Sequence, residues 1–263
     1  MDIEQIVAST PFWFHSIDVG NGVVTPGQKS SELLKLELSR LKLPLLDGKT
    51  VLDVGAWDGY FSFACEKLGA KRVCALDHYV WSMDLHEQQN YHQNCLDNNS
   101  TPIPYERLPA NWKPHNMPGK KGFDSAHLLL NSKVEQKVLN FMNCDIVEIG
   151  GFEIVLFLGV LYHLENPFEC IKRIAIIARE LAVIETAAII VEGSEDKALF
   201  EFYGNNEFIG DVGNWWAPNR KALIDMCLAS GFKSAEVVNV IPHIESDGSQ
   251  SNSICRIVLH AKH

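Results

Sequence analysis

The residues with the clearest chemical potential stand at the end of an apolar run near position 50. The run 51–54 breaks at Gly55, a second glycine follows at position 59, and a helix-like pattern begins at Tyr60. A strand, a tight glycine turn and a helix N-terminus are the parts with which α/β sheets bind nucleotide-like cofactors. The segment 51–62 therefore predicts a cofactor-binding turn.

The glycine spacing narrows the choice of cofactor. A dinucleotide fingerprint, G-x-G-x-x-G, would need glycines at positions 57 and 60, where the chain has Trp57 and Tyr60. The spacing D-x-G-x-x-x-G over residues 53–59 leaves a wider turn, which suits the sulfonium chain and amino-acid end of S-adenosylmethionine. At the end of the next predicted strand, the carboxylate of Asp77 could accept hydrogen bonds from both ribose hydroxyls.

Alternating apolar and polar patterns predict the elements that position this turn. We expect helices at 33–41, 60–68, 167–180 and 220–230, and strands at 50–54, 71–76, 134–141, 152–157, 181–190, 235–240 and 253–260. This order predicts an α/β, Rossmann-like, doubly wound fold with a mainly parallel seven-stranded sheet and an antiparallel C-terminal hairpin.

Two polar stretches interrupt the pattern. The sequence from about 81 to 132 is polar and irregular, which predicts an inserted lid segment. The sequence from 192 to 219 mixes aromatic and polar residues that can shape a pocket. The predicted organisation is an N-terminal lid or helical segment over residues 1–45, followed by a catalytic domain over residues 46–263.

The composition restricts the compartment and the partners. The net charge is −10 and no basic face is obvious, which disfavours nucleic acid as a partner without excluding it. Seven cysteines without a C-x-x-C pair indicate reduced thiols and a cytoplasmic location. No signal segment or membrane span is expected, and the spacing of His78, His86 and His92 predicts no metal site.

Several longer motifs together resemble a known family. Residues 11–232 resemble the class I S-adenosylmethionine-dependent methyltransferases, and more closely the branch of tRNA wobble-uridine methyltransferases that use carboxylated S-adenosylmethionine. The resemblance rests on Phe14-His15-Ser16-Ile17-Asp18, Val23-Val24-Thr25-Pro26-Gly27, residues 51–62, Lys121-Gly122-Phe123-Asp124, residues 158–167 and Asn214-Trp215-Trp216-Ala217-Pro218-Asn219.

The resemblance implies a set of cofactor-binding residues. Gly55, Ala56 and Gly59 would surround the methionine part, and Asp77 would hold the ribose. The adenine would lie near His78 and the end of the third strand, where Asn140 stands in place of the family's usual acidic residue, followed by Phe141. The remaining predicted cofactor contacts are Asp53, Trp57, Leu158, Gly159, His15 and Thr25. Two interpretations of the aromatic cluster around His15 stay open, a packing staple and a lid over the site.

The resemblance also points to the reacting side of the site. His163 and Glu185 are candidate general bases, but His163 could instead be a scaffold residue and Glu185 a hydrogen-bond acceptor for substrate. Tyr162, Tyr203 and Trp216 could hold the sulfonium by cation–π attraction. The predicted catalytic residues are His163, Glu185 and Tyr162, and the predicted substrate-binding residues are Tyr203, Asn214 and Trp216.

Four functions remain open on these grounds. The first is methyl transfer to an O or N atom of a small or carrier-bound metabolite, favoured by the acidic charge. The second is tRNA wobble-uridine modification, and the third is cyclisation of the methionine chain to azetidine-2-carboxylate with release of methylthioadenosine. The fourth is a non-catalytic cofactor sensor or protein-binding module. The carboxylated cofactor would need a nearby cation, for which Lys29 and Arg220 are candidates.

Overall fold

The computed structural model describes residues 2–204, 208, 213–244 and 248–263. The helices are α1 (Ile3–Ser9), α2 (Ser31–Arg40), α3 (Tyr60–Lys67), α4 (Tyr79–Ser82), α5 (Leu85–Asp97), α6 (Lys121–Leu129), α7 (Ile146–Ile149), α8 (Pro167–Ile177) and α9 (Arg220–Ala229). The strands are β1 (Thr50–Val54), β2 (Arg72–Asp77), β3 (Glu135–Val138), β4 (Phe152–Leu158), β5 (Ala178–Ile189), β6 (Phe200–Phe202), β7 (Trp216–Pro218), β8 (Ser234–Ile244) and β9 (Gln250–Lys262).

The predicted seven-stranded sheet is confirmed. Its order is β3-β2-β1-β4-β5-β9-β8. The pairs β1–β2, β2–β3 and β4–β5 are parallel, whereas β5–β9 and β8–β9 are antiparallel. The strands of the sheet centre are mostly apolar because they are largely buried on both faces, as in β1, where residues 51–54 are all buried and only Asp53 among them is charged.

Packing divides the chain into two compact units. The first comprises Met1–Ser39 and Pro44–Asn143, and the second comprises Arg40–Leu43 and Cys144–His263. The predicted boundary near residue 45 and a lid role for residues 1–45 stay predictions.

The polar stretch at 81–132 contains regular helices despite its irregular sequence pattern, and its role as an inserted lid stays a prediction. It contains the 13-residue helix α5 as well as α6. The Asp84 side chain caps α5 by accepting a hydrogen bond from the Glu87 N–H at 3.2 Å, and Leu85 packs in a buried cluster with Met83 and Tyr105. A cap and tertiary packing stabilise a helix whose sequence shows little apolar periodicity.

The observed ends of some helices and strands differ slightly from the predicted ones. The third strand ends at Val138, so Asn140 follows it by two residues, and α8 ends at Ile177, after which the chain passes directly into β5. Residues 192–219 contain an antiparallel two-stranded sheet, β6–β7, which periodicity did not predict because each strand has three residues.

Within the described part of the chain, no helix is long and apolar enough to cross a membrane. The same residues contain no cluster of three or more potential metal ligands.

Candidate functional site

The predicted cofactor turn leaves the carboxyl end of β1. Gly55 has a φ of +81° and donates its N–H to the Leu76 carbonyl at 2.8 Å, which ties the turn to β2. Gly59 has a φ of +88° and precedes α3. A Cβ at position 59 would lie 2.6 Å from the Phe63 ring and 2.8 Å from the Phe123 ring, so both the backbone and the packing require glycine there.

Trp57 lies in the middle of this turn in a strained conformation. Its φ is +52°, a region that bulky residues rarely adopt. The Asp77 carboxylate accepts the Trp57 N–H at 3.0 Å, and the Trp57 carbonyl accepts the indole N–H of Trp81 at 2.6 Å. Strain of this kind persists only where the surroundings enforce it, and it concentrates at functional sites.

Asp77 anchors the turn at the end of β2. Its second oxygen accepts the Val80 N–H at 3.1 Å, and the side chain is buried. Burial raises the pKa of Asp77 to about 6, against the opposing effect of the backbone N–H groups of Trp57, Val80, His78 and Trp81. Contact of Asp77 with the ribose hydroxyls stays a prediction.

Asp53 lies beneath the turn rather than on its surface. It is buried, and its carboxylate accepts the Ser62 hydroxyl at 2.6 Å, which joins β1 to α3. Burial is the main cause that raises the pKa of Asp53 to about 6. Asp53 therefore braces the turn, and its contact with the cofactor stays a prediction.

Replacing Asp53 by asparagine is expected to flatten the pH dependence of stability. Because the folded pKa is about 6 and the unfolded value is near 3.8, the folded state binds more protons in this interval. The Asp53 contribution is thus fully present below about pH 4 and is lost as pH rises through about 6. At pH 8 we expect the free energy of unfolding of Asp53→Asn to exceed that of the wild type by about 3 kcal/mol at most. The variant should therefore unfold at a higher urea concentration. The same change at exposed Asp196 is the control, and an unaltered pH profile in Asp53→Asn would contradict the assignment.

A segment that we call the N-terminal strap, residues 12–29, is fastened to the turn by Asp58. One oxygen of this carboxylate accepts the backbone N–H groups of Phe14 at 2.9 Å and His15 at 2.8 Å, while the other accepts His15 Nδ1. The Phe14 ring stacks on Trp57 with centroids 3.7 Å apart and planes 1° apart. Thr25 donates its hydroxyl to the His15 carbonyl at 2.8 Å, so it braces the strap. Asp58 was not among the site residues predicted from the sequence. The only indication there was that an acidic residue stands inside the glycine turn.

The residues predicted near adenine lie beyond the ends of β2 and β3. Asp77 and Val138 are register partners, which brings Asn140 to the same sheet edge. Asn140 is exposed and its side-chain oxygen accepts the Met142 N–H at 3.1 Å, whereas Phe141 is buried. The His78 ring lies 5.7 Å from the Trp112 ring, and burial lowers the pKa of His78.

In the second unit, four residues cluster at the end of β4, where Leu158 is the register partner of Glu185 within β5. The Arg256 guanidinium makes a bidentate pair with Glu185, with Nη2 2.8 Å from Oε2 and Nε against Oε1. Arg256 also lies 5.3 Å from the centroid of the Tyr162 ring. The N–H of Gly159, directly after Leu158, donates to the Glu185 carbonyl at 2.9 Å. Arg256 was not predicted from the sequence, and its partner raises its pKa.

The ion pairs of Glu185 and Lys29 bear on the roles predicted for these two residues. A Glu185 carboxylate that holds a guanidinium with both oxygens is less available as a proton acceptor than an unpaired one. Lys29, a predicted partner for a carboxylated cofactor, is bound by both oxygens of Glu37 at 2.9 Å.

His163 lies exposed in a short 3₁₀ helix after β4. Its Nδ1 is 2.9 Å from the Gly213 carbonyl oxygen, which can only accept a hydrogen bond. In the neutral ring Nδ1 therefore carries the proton and Nε2 carries the lone pair.

The predicted substrate-binding residues lie around the β6–β7 sheet. Tyr203 is buried in a cluster with Phe208 and Ala217, and its hydroxyl donates to Glu201 at 3.0 Å. Asn214 is buried and donates its amide to the Phe208 carbonyl at 2.8 Å. Trp216 is half-buried beside Phe202, with ring centroids 4.7 Å apart. Contact of any of these residues with substrate stays a prediction.

Comparison with solved structures identifies the class of fold. The N-terminal domain of EvdMO1, crystallised with S-adenosylhomocysteine and D-fucose, matches over 100% of this chain and 97% of its own, at 16% identity and a TM-score of 0.59. An S-adenosylmethionine-dependent methyltransferase described as putative, from Listeria monocytogenes, matches over 87% of this chain and 97% of its own, at 15% identity and a TM-score of 0.52. The chain has the Rossmann-like fold of these methyltransferases.

Sequence comparison gives more particular relatives. The tRNA U34 carboxymethyltransferase of Psychrobacter arcticus is 24% identical over 211 residues, which are 74% of this chain and 47% of that protein. The enzyme of the same name from Methylococcus capsulatus is 22% identical over 222 residues, or 84% of this chain and 56% of that protein. The chain therefore spans about half the length of the curated relatives it matches. No family model matches it.

Proposed function

We propose that this protein is an S-adenosylmethionine-dependent methyltransferase that acts on an O or N atom of a small or carrier-bound metabolite. The observation that carries the proposal is the glycine turn at the end of β1 with the Asp77 carboxylate at the end of the adjacent parallel strand β2. Ligands of open α/β sheets bind at this edge.

The residues at the turn fit the cofactor chemically. Gly55, Ala56 and Gly59 form the turn that would surround the methionine part, Asp77 supplies a carboxylate for the predicted ribose position, and Asn140 follows the neighbouring strand by two residues. The indole N–H of Trp57 is buried and has no hydrogen-bond partner among the described residues, which is a donor that a bound polar ligand would satisfy. When bound, the cofactor supplies an electrophilic methyl group on sulfonium sulfur.

The protein's own contribution would be orientation and proton removal. Methyl transfer is an in-line displacement, for which positioning supplies most of the acceleration. An O–H or N–H acceptor must also lose a proton, and the lone pair on His163 Nε2 suits this role better than the Arg256-bound carboxylate of Glu185. Glu185 would then hold Arg256 and, through its carbonyl, Gly159.

His163→Gln is expected to lower kcat by about 10²–10⁴-fold, because the proton acceptor is lost. His86→Gln, at an exposed histidine of α5, serves as the control and should keep the wild-type kcat. An unchanged kcat in His163→Gln would assign the residue to the scaffold.

The sequence relatives, which are named tRNA U34 carboxymethyltransferases, favour a second candidate, modification of tRNA at uridine 34. The net charge of −10 opposes it, since phosphate binding normally requires a basic face. Affinity for tRNA that weakens steeply with added salt would support this candidate, and absent or salt-insensitive affinity would remove it.

Product analysis tests the proposed function directly. The protein is incubated with S-adenosylmethionine, or its carboxylated form, and a cell extract, and both the nucleoside and any labelled acceptor are identified by mass spectrometry. Methyl transfer leaves S-adenosylhomocysteine, whereas cyclisation to azetidine-2-carboxylate leaves methylthioadenosine. Release of methylthioadenosine without a methylated acceptor would overturn the proposal, as would binding of the cofactor without turnover.

A further inference from the structure

A cavity of about 460 Å³ lies in the first unit, beside the N-terminus of α5. It is lined by Pro11 and Phe12, by the first turn of α5 at 84–87, and by part of the segment 118–122 that leads into α6. Among the described residues that line it, none is predicted to contact cofactor or substrate. Its volume falls within the range of small-molecule sites, about 300–1,000 Å³. This cavity, which we call the α5–α6 cavity, is therefore separate from the glycine turn.

The walls of the α5–α6 cavity are held by backbone contacts. The Asp84 N–H donates to the Asn111 carbonyl at 2.7 Å, and the Asp84 carboxylate caps α5 and accepts the Lys113 ammonium at 2.7 Å. A Cβ at Gly119 would lie 2.0 Å from the Val80 carbonyl oxygen, so the segment before α6 lies directly against α4. A cavity whose walls are already ordered loses little conformational freedom when a ligand binds.

Two of the lining residues supply fixed apolar surface. Leu85 is 7% exposed and belongs to a buried cluster with Met83, against which Phe12 also packs. The Phe12 ring is held nearly parallel to the Trp57 ring, at 14° and 6.4 Å between centroids. An apolar group placed against these side chains would be removed from water, which favours binding. A ligand for this cavity should therefore have an apolar body.

Two exposed lining residues carry opposite charges. Glu87 stands in the first turn of α5, and Lys121 is the first residue of α6. Neither side chain takes part in a hydrogen bond or an ion pair within the part of the chain that the structure describes. The Asp84 carboxylate, by contrast, is already paired with Lys113. The cavity thus offers one carboxylate and one ammonium to a ligand.

We propose that the α5–α6 cavity binds a free α-amino acid with an apolar side chain. The apolar side chain lies against Phe12 and Leu85, the ligand ammonium pairs with Glu87, and the ligand carboxylate pairs with Lys121. An apolar amine would leave Lys121 unmatched and an apolar acid would leave Glu87 unmatched, whereas a zwitterion matches both charges. The inference does not depend on the proposed function, because no residue of the glycine turn lines the cavity.

Calorimetric titration with L-phenylalanine and L-leucine tests the site. The amino acid that binds more tightly is then compared with the amine and the carboxylic acid of the same side chain, which are phenethylamine and 3-phenylpropionate in the case of phenylalanine. We expect each analogue to bind at least about tenfold more weakly, because each loses a hydrogen bond to a charged group. Absence of binding by both amino acids, or equal binding by either analogue, would overturn the proposal.

Charge-removing variants assign the two ends of the ligand. Glu87→Gln should weaken binding of the amino acid about tenfold and leave binding of the carboxylic acid unchanged, since that analogue has no ammonium. Lys121→Gln should weaken binding of the amino acid by a similar factor and leave binding of the amine unchanged. Both residues are exposed, so neither substitution should alter the melting temperature. Unchanged amino-acid affinity in either variant would overturn the proposal.

Glu4→Gln and Lys67→Gln are the matched controls. Glu4, like Glu87, stands in the first turn of its helix. Both control residues are exposed, belong to the first unit and do not line the cavity. These two variants should bind the amino acid as the wild type does.

Titration of the amino acid in the presence of saturating S-adenosylhomocysteine distinguishes the cavity from the glycine turn. The amino-acid end of S-adenosylhomocysteine would occupy any amino-acid site at the turn. Unchanged affinity for the free amino acid supports the α5–α6 cavity. Competition between the two ligands would place the amino acid at the glycine turn and overturn the proposal.

Discussion

Arg256→Ala is expected to lower the free energy of unfolding by about 2–3 kcal/mol, because it leaves the Glu185 carboxylate without its bidentate partner. The Glu185 side chain is only 14% exposed, so water replaces the guanidinium poorly. The Arg256 side chain is 33% exposed, which places the expected cost below that of a fully buried pair. Urea unfolding of the variant measures this cost.

Glu185→Gln should cost less than Arg256→Ala, since the stranded guanidinium can reach solvent. The control is the Arg72–Glu135 pair, which is bidentate at 2.8 and 2.7 Å but much more exposed. Arg72→Ala should lower stability by about 1 kcal/mol or less. Equal costs for Arg256→Ala and Arg72→Ala would show that the Glu185 pair contributes no more than a surface ion pair.

Gly27→Ala is expected to release the N-terminal strap and lower the melting temperature by about 6–12 °C, which corresponds to about 3 kcal/mol for a chain of this size. A Cβ at position 27 would overlap both the carbonyl carbon of His15 and the backbone nitrogen of Ser16. Backbone atoms cannot move aside as a flexible side chain can. The strap must therefore open where it crosses itself, and His15 loses its position against Asp58.

The neighbouring glycine of the strap provides the control for Gly27→Ala. Gly22 has a φ of +78°, and a Cβ added there would meet no atom within 4 Å, so Gly22→Ala costs only backbone strain, about 1–2 kcal/mol. Limited proteolysis should cut the strap faster in Gly27→Ala than in Gly22→Ala. Equal melting temperatures and cleavage rates in the two variants would refute the role of the close crossing.

Local patterns were sufficient to predict the sheet and the turn. Strands such as β1 and β4 are continuous apolar runs because they are buried on both faces, and the glycines at 55 and 59 mark backbone that must adopt positive φ. Helix α5 escaped prediction because its stability depends on the Asp84 cap and on packing of Leu85, and its own sequence is largely polar.

The fold class, the glycine turn and the position of Asp77 could all be derived from the order of residues, since each depends on residues close together along the chain. The partners of those residues became visible only in the folded chain. Asp58 meets His15 across 43 positions, and Arg256 meets Glu185 across 71. No spacing rule pairs such residues, because the contact exists only once the strap has folded onto the turn and β9 has paired with β5.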